Sequence, residues 1–146
     1  MNRGDAVLVE TVEQTGSTND DLLERARDRA PQRPVLLAAL HQFAGRGRHG
    51  RRWHGARGRA LLFSLIFPWL RQASSAPAVT LACGVAVAEA MRSRGVDARL
   101  KWPNDILLGG RKLGGLLTEL AFDAEGRASV VVGIDADRDS GTHRLP

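Results

Sequence analysis

The sequence contains one cysteine, Cys83, among its 146 residues. A single cysteine cannot form an internal disulfide, and the four histidines are not spaced like a metal-binding cluster, so no structural metal site is expected. The fold must then rely on its core, and 43% hydrophobic residues are sufficient for one compact domain. Because Cys83 lies in an apolar helical pattern, we predict that it is a packing residue.

Long apolar segments are also missing. No segment approaches the roughly 20 apolar residues that a membrane-spanning helix needs. The N-terminus, with Arg3, Asp5 and Glu10 around a short apolar run, lacks the basic-then-apolar order of a secretory signal. These absences predict a cytoplasmic protein with no membrane association.

Lysine is scarce, since the 21 basic residues are 19 arginines and only two lysines, Lys101 and Lys112. The net charge of +5 and the pI of about 10.9 indicate polyanionic partners such as phosphates or nucleic acid. Because arginine is so common here, an individual arginine is weak evidence for an anion-binding site. The two lysines are more informative, and they fall close together.

Strand and helix patterns fill most of the chain. Helices are predicted from Ser17 or Thr18, either of which can serve as the N-cap, to about Ala30, and over residues 78–92, where apolar residues cover nearly all faces as in a core helix. Strands are predicted at residues 7–12, 35–40, 60–67, 98–102, 106–108, 113–122 and 129–134. Strands joined partly by hairpins, with two helices between them, predict an α+β fold with a mixed or antiparallel sheet and flanking helices.

Residues 45–58 cannot form regular structure, because glycine alternates with cations in Gly45-Arg46-Gly47-Arg48-His49-Gly50-Arg51-Arg52-Trp53. Such a loop lets the backbone approach a ligand while guanidinium groups bind phosphate or carboxylate. The alternatives are a disordered arginine–glycine segment that contacts nucleic acid, or simply a solvated basic loop. The position of the loop between two apolar strands favours a binding loop within a folded domain.

A second polar block, Lys101-Trp102-Pro103-Asn104-Asp105, lies between two predicted strands. Asn-Asp after proline is also what an ordinary turn contains. The nearby sequence Arg111-Lys112-Leu113-Gly114-Gly115 adds a lysine and two glycines within an apolar strand, where glycine marks a bulge or a close ligand approach. The two blocks together predict a site at the strand ends.

Three stretches, in this order, resemble the signature blocks of biotin–protein ligases. They are residues 16–19 (GSTN), residues 42–53 with the GRGRHGRRW sequence, and residues 101–105 (KWPND) with 111–115 (RKLGG). The resemblance covers about residues 9–134. It implies the catalytic fold that this family shares with lipoate ligases and class II aminoacyl-tRNA synthetases. It also implies an enzyme that forms biotinyl-5'-adenylate from biotin and ATP with Mg²⁺, and transfers biotin to a lysine of a biotin carboxyl carrier protein.

The resemblance also implies residue roles. The catalytic pair would be Arg48 and Lys112, acting where charge develops on the carboxylate and phosphate. The biotin-binding residues would be Ser17, Thr18, Asn19, Gln42, Gly45, Arg46, Arg48, Lys112, Gly114 and Gly115. The ATP-binding residues would be Arg48, Arg51, Trp53, Asn104, Asp105 and Lys112, with Mg²⁺ near Asp105.

The resemblance weakens after Ile134, where the family continues with glycine, isoleucine or leucine, and asparagine, and this chain has Asp135-Ala136-Asp137. We interpret residues 1–134 as a catalytic domain truncated at its C-terminal side and residues 135–146 as a divergent, unstructured polar tail. Carboxylates here would lie near an anionic ligand, which is electrostatically unfavourable. The first block starts too early for the DNA-binding domain of repressor-type members, so no operator binding is expected.

Two other functions remain open from the sequence. A lipoate or octanoate ligase or transferase would share the fold but usually lacks the arginine–glycine block. A nucleic-acid-binding protein would use the arginine loop and Trp53 as a stacking platform, and its binding would weaken steeply with salt.

Overall fold

The computed structural model describes residues 6–68 and 73–137. Within these residues, seven strands form one sheet in the order β1-β2-β3-β7-β6-β5-β4. In this sheet β1 pairs with β2 in parallel, and the other neighbouring strands are antiparallel. The strands are β1 (Leu8–Val12), β2 (Val35–Ala39), β3 (Ala60–Phe67), β4 (Ala98–Lys101), β5 (Asp105–Leu108), β6 (Arg111–Phe122) and β7 (Ala128–Asp137). The predicted α+β fold with a mixed sheet is confirmed.

Helix α1 (Thr18–Asp28) connects the two parallel strands and packs on one face of the sheet. Ser17 caps this helix, and its side-chain oxygen accepts a hydrogen bond from the N–H of Asp20. Acidic residues in the first turn stabilise the helix by interacting with the positive end of its dipole. Leu22, Leu23 and Ala26 are buried against β2, β3 and β7. This packing fixes the N-terminal end of α1 over the middle of the sheet.

Helix α2 (Ala76–Arg92) packs on the opposite face, where Cys83 contributes to a second core cluster and burial raises the pKa of its thiol. The prediction that α2 is a core helix, buried on nearly all faces, is wrong. Leu81 is 49% exposed and Val85 40%, because only one side of α2 faces the sheet. In the part of the chain that the structure describes, no helix has the length and apolarity to cross a membrane.

The predicted tail at residues 135–146 is wrong for residues 135–137, which continue β7 between β3 and β6. The polar side chains concealed a strand pattern, because Asp135 and Asp137 alternate with the buried Ala136. The backbone of Asp135 and Ala136 is paired with β3 and β6, Asp137 is paired with β3, and its carboxylate accepts the N–H of Ala56 at 3.4 Å. Residues 138–146 lie outside the described residues.

Candidate active site

The predicted site residues come from five segments, and the fold brings most of them to the sheet face that carries α1. The segments that meet there are the N-terminal end of α1, Gln42, the loop of residues 45–53, the turn before β5 and the start of β6 with its glycine pair. Gln42 joins two of these parts, because Thr18 donates to its carbonyl oxygen and its amide nitrogen faces Asp135 of β7. The site is therefore assembled by tertiary packing.

A buried polar chain forms one end of the site. The backbone N–H and the hydroxyl of Thr18 donate to Oε1 of Gln42 at 2.8 and 3.0 Å. The hydroxyl of Ser64 lies 2.7 Å from that of Thr18 and donates to Oδ1 of Asn19 at 2.6 Å. Asn19 in turn donates to the carbonyl of Leu117 at 3.2 Å. These bonds fix the polar groups before any ligand arrives.

Ser64 was missed from the sequence, although a serine in the middle of an apolar strand was a usable signal. Its side chain is fully buried, so removing the hydroxyl would take away the hydrogen bond that Oδ1 of Asn19 accepts and leave that buried oxygen poorly satisfied. We expect Ser64→Ala to lower the free energy of unfolding by about 1–3 kcal/mol. Urea denaturation followed by circular dichroism measures this. A change below about 0.5 kcal/mol would show that the chain does not depend on Ser64.

Arg46 lies at the N-terminal end of α1, where it pairs with two carboxylates. Its guanidinium donates to Glu119 of β6 at 3.0 and 2.8 Å and also to both oxygens of Asp20. The hydrogen bonds with Glu119, and next those with Asp20, raise the pKa of Arg46. Glu119, which also accepts from Asn19 at 2.9 Å, is a second residue missed from the sequence. Together these contacts hold the start of the arginine loop against α1.

Backbone contacts close the same loop. The N–H of Trp53 donates to the carbonyl of Gly45 at 2.9 Å, and a Cβ at Gly45 would lie 2.9 Å from the carbonyl oxygen of Trp53. Glycine at position 45 is therefore needed for this close approach. Between these residues, Arg48 is exposed and donates to Oδ1 of Asn104 at 3.2 Å. The arginine loop thus reaches the turn before β5.

Lys112 lies at the other end of the site. Its ammonium donates to Asp105 at 2.6 Å and lies 5.8 Å from the centre of the Trp53 ring. The indole nitrogen of Trp53 is buried and has no hydrogen-bond partner among the described residues. Asn104 is held by mutual hydrogen bonds with Leu116 of β6, each 2.8 Å long. A fixed ammonium, a carboxylate and an aromatic ring therefore lie together.

The two glycines of β6 have different surroundings. A Cβ at Gly114 would lie 2.3 Å from the carbonyl oxygen of Asp135 and 2.9 Å from the Cα of Ala136. A Cβ at Gly115 would meet only ordinary contacts, the nearest at 3.4 Å, and it would lie 3.7 Å from the ammonium of Lys112. Gly114 therefore permits close strand packing, whereas Gly115 keeps the floor of the site open.

Two predicted site residues, Ser17 and Arg51, have no side-chain contact with the other site residues among the hydrogen bonds described above. Ser17 is buried, and its hydroxyl oxygen is used as the cap of α1. Arg51 is exposed in the loop, where its backbone carbonyl accepts the N–H of Gly47 at 2.7 Å. Their contributions are therefore to the helix start and to the loop backbone in this structure.

Asp135 extends into the site from β7. The amide nitrogen of Gln42 lies 3.4 Å from both of its carboxylate oxygens. Burial raises the pKa of Asp135 to about 7, although the hydrogen bond from Gln42 acts in the opposite direction. Asp105 and Lys112, on the neighbouring strands, form their own ion pair. Asp135 is therefore a carboxyl group that carries a proton for part of the time at neutral pH.

This raised pKa predicts a pH-dependent stability. In the unfolded chain Asp135 loses its proton at about pH 4, whereas in the folded chain it keeps the proton up to about pH 7. The free energy of unfolding therefore falls as pH rises between these two values and levels off above them. The slope from this group alone is at most about 1.4 kcal/mol per pH unit. We expect the difference in unfolding free energy between the natural chain and Asp135→Asn to show it, measured by urea denaturation from pH 4.5 to 8. Parallel curves would contradict it.

Comparison with known proteins places these features in a family. Residues 11–137 match the model of the biotin/lipoate A/B protein ligase family. The chain is 38% identical over 119 residues to the bifunctional ligase/repressor BirA of Bacillus subtilis, covering 81% of this chain and 36% of that protein. It is 41% identical over 127 residues to the biotin–[acetyl-CoA-carboxylase] ligase of Mycobacterium tuberculosis, covering 77% of this chain and 44% of that protein.

A solved structure agrees with the sequence relatives. The biotin acetyl coenzyme A carboxylase synthetase of Helicobacter pylori, with bound biotinylated ATP, superposes with a TM-score of 0.76 at 31% identity and covers 96% of this chain and 65% of that one. The chain thus spans less than half the length of these curated relatives. Its fold and sequence agree over nearly the whole described range, and the chain belongs to the biotin/lipoate A/B protein ligase family.

Proposed function

We propose that this chain activates biotin with ATP, forming biotinyl-5'-adenylate, and passes the biotinyl group to a lysine of a biotin carboxyl carrier protein. The observation that carries the proposal is the arrangement of the site, with a buried polar chain at one end and the paired Lys112 at the other. Relatives named biotin–[acetyl-CoA-carboxylase] ligase share 37–41% of their residues with it over the matched segments. We also propose a cytoplasmic location, where ATP and carrier proteins are found.

The proposed orientation of biotin places its ureido ring at the polar end of the site and its carboxylate at the end that contains Lys112. Its ureido ring carries both donors and acceptors, which match the hydroxyls and amides at the start of α1 and at Gln42. Its carboxylate would reach Lys112 and Arg48, the cations at the other end. The biotin-binding set is therefore proposed to be Ser17, Thr18, Asn19, Gln42, Gly45, Arg46, Arg48, Lys112, Gly114 and Gly115, with Ser17 and Arg46 holding the others in place.

ATP would bind beside the carboxylate end. Trp53 offers an aromatic face, and the exposed guanidinium groups of Arg48 and Arg51 can bind phosphates bidentately. Asn104 and Asp105 supply an amide and a carboxylate oxygen at one turn, a donor set that fits Mg²⁺, since this ion takes one or two carboxylates together with nucleotide phosphates. When bound, Mg²⁺ would neutralise the charge of the departing pyrophosphate. Lys112 completes the ATP-binding set.

The proposed chemistry needs charge neutralisation more than it needs a nucleophile. The carboxylate of biotin attacks the α-phosphate, forming a mixed anhydride and releasing pyrophosphate. Both reactants are anions, so Lys112 and Arg48 must hold them together and stabilise the charge that develops between them. In the second step the carrier lysine attacks the acyl carbon and releases AMP. The protein then has only to shield the adenylate and orient the amine.

A lipoate ligase of the same family is the alternative that the site itself disfavours. The dithiolane ring of lipoate is apolar, so it could form no hydrogen bonds with the polar groups of Thr18, Asn19 and Gln42 that line this end of the site. An isotope exchange assay separates the two functions. We expect the purified chain to exchange labelled pyrophosphate into ATP when biotin is added and not when lipoate is added. Exchange with lipoate alone would overturn the proposed substrate, and exchange with neither, by a folded chain, would overturn the proposed activity.

A further inference from the structure

Asp135 lies on the floor of the site between its two ends. In the sheet its neighbours are Leu62 of β3 and Gly115 of β6. Two residues earlier on the same face, a Cβ at Gly133 would lie 2.4 Å from Oδ1 of Asn19, which marks the polar end. Gly115 marks the other end through its nearness to Lys112. A ligand that spans the site must therefore cross Asp135.

The side chain at this position contrasts with its neighbours on the floor. Gly133 and Gly115 have no side chain, whereas Asp135 adds a carboxyl group between them. That group also lies within reach of the amide nitrogen of Gln42, a donor that a ligand's carbonyl would otherwise accept from. Asp135 thus takes both space and a hydrogen-bond donor from the floor.

We propose that Asp135 weakens biotin binding, because its carboxyl group occupies the floor of the site and accepts a hydrogen bond from Gln42. This inference rests on the proposed function. The ligand brings a carboxylate of its own, and Asp135 adds like charge whenever it is ionised. In residues 6–68 and 73–137, the group that faces Asp135 through a hydrogen bond is a neutral amide and not a cation. The carboxyl group is therefore poorly compensated where a ligand must pass.

The test is calorimetric titration of the 146-residue chain and its variants with biotin at pH 7.5. Asp135→Gly removes the side chain, and Asp135→Ala keeps only Cβ in case glycine weakens the strand. Asp137→Asn is the matched control, because it changes the next carboxylate on the same face of β7, which binds the N–H of Ala56. Thermal unfolding checks that each variant is folded.

We expect Asp135→Gly and Asp135→Ala to bind biotin about tenfold or more tightly than the natural chain, because they remove a partly buried carboxyl group that a ligand would have to pass. Asp137→Asn should bind like the natural chain. If the natural chain binds biotin and neither Asp135 variant binds it more tightly, the role of Asp135 is overturned while the proposed function stands. If the folded natural chain and both Asp135 variants fail to bind biotin, the proposed function fails, and this inference fails with it.

Discussion

Replacing Lys112 with methionine is expected to lower the rate of biotinyl-adenylate formation by about a hundredfold to a thousandfold, the usual loss for one preorganised charge at a transition state. The ammonium is already fixed by Asp105 at 2.6 Å. The side chain therefore gives up little conformational freedom when the carboxylate and the α-phosphate come together. Methionine keeps the apolar stem and removes the charge.

Single-turnover assays with saturating biotin and ATP would measure this loss apart from substrate binding. Arg99→Met is the matched control, because it removes one positive charge from an exposed side chain on β4 that pairs only locally with Asp97. We expect that control to retain the natural rate within about twofold, as surface charges contribute little. An equal loss in both variants would mean that net charge, and not Lys112, governs the rate.

Gly114→Ala is expected to destabilise the fold by about 3 kcal/mol, a large loss for the addition of one methyl group. The new Cβ would lie 2.3 Å from the carbonyl oxygen of Asp135 on β7. This atom is backbone in the centre of the sheet, so the contact cannot be relieved by rotating a side chain. Strands β6 and β7 would have to separate locally. Denaturant unfolding of the purified variant measures the effect.

Gly115→Ala is the matched variant on the same strand, and it separates folding from binding. Its Cβ meets ordinary contacts of 3.4 Å or more, so we expect stability to change by less than about 1 kcal/mol. The methyl group would lie on the floor beside Lys112, and biotin affinity should fall by about tenfold. Equal destabilisation of both variants would contradict the different roles assigned to the two glycines.

Much of the fold could be predicted because its elements have clear local signals. Strand β3 begins and ends at the predicted residues, since an apolar run is closed by Pro68. Two predictions failed where tertiary contacts decide the outcome. Helix α2 is apolar all round, yet one face lies against the sheet and Leu81 is exposed. Residues 135–137 contain two aspartates, yet pairing with β3 and, up to Ala136, with β6 makes them part of a strand.

The sequence predicts the motif residues of the site better than the residues that hold them in place. Gln42, Arg48 and Lys112 stand in recognisable sequence blocks. Ser64 and Glu119 lie in strands that the sequence marks only as apolar, and they matter because α1 is packed above them. Which polar groups meet across a sheet depends on register, and register follows from the whole hydrophobic pattern.

The site is proposed to join the carboxylate of biotin to the α-phosphate of ATP. The most direct measurement is mass spectrometric detection of biotinyl-adenylate after the purified 146-residue chain, shown to be folded by circular dichroism, is incubated with biotin, ATP and Mg²⁺. We expect the adenylate to form with the natural chain and to be lost with Lys112→Met. A folded natural chain that forms no adenylate at saturating biotin and ATP would contradict the claim.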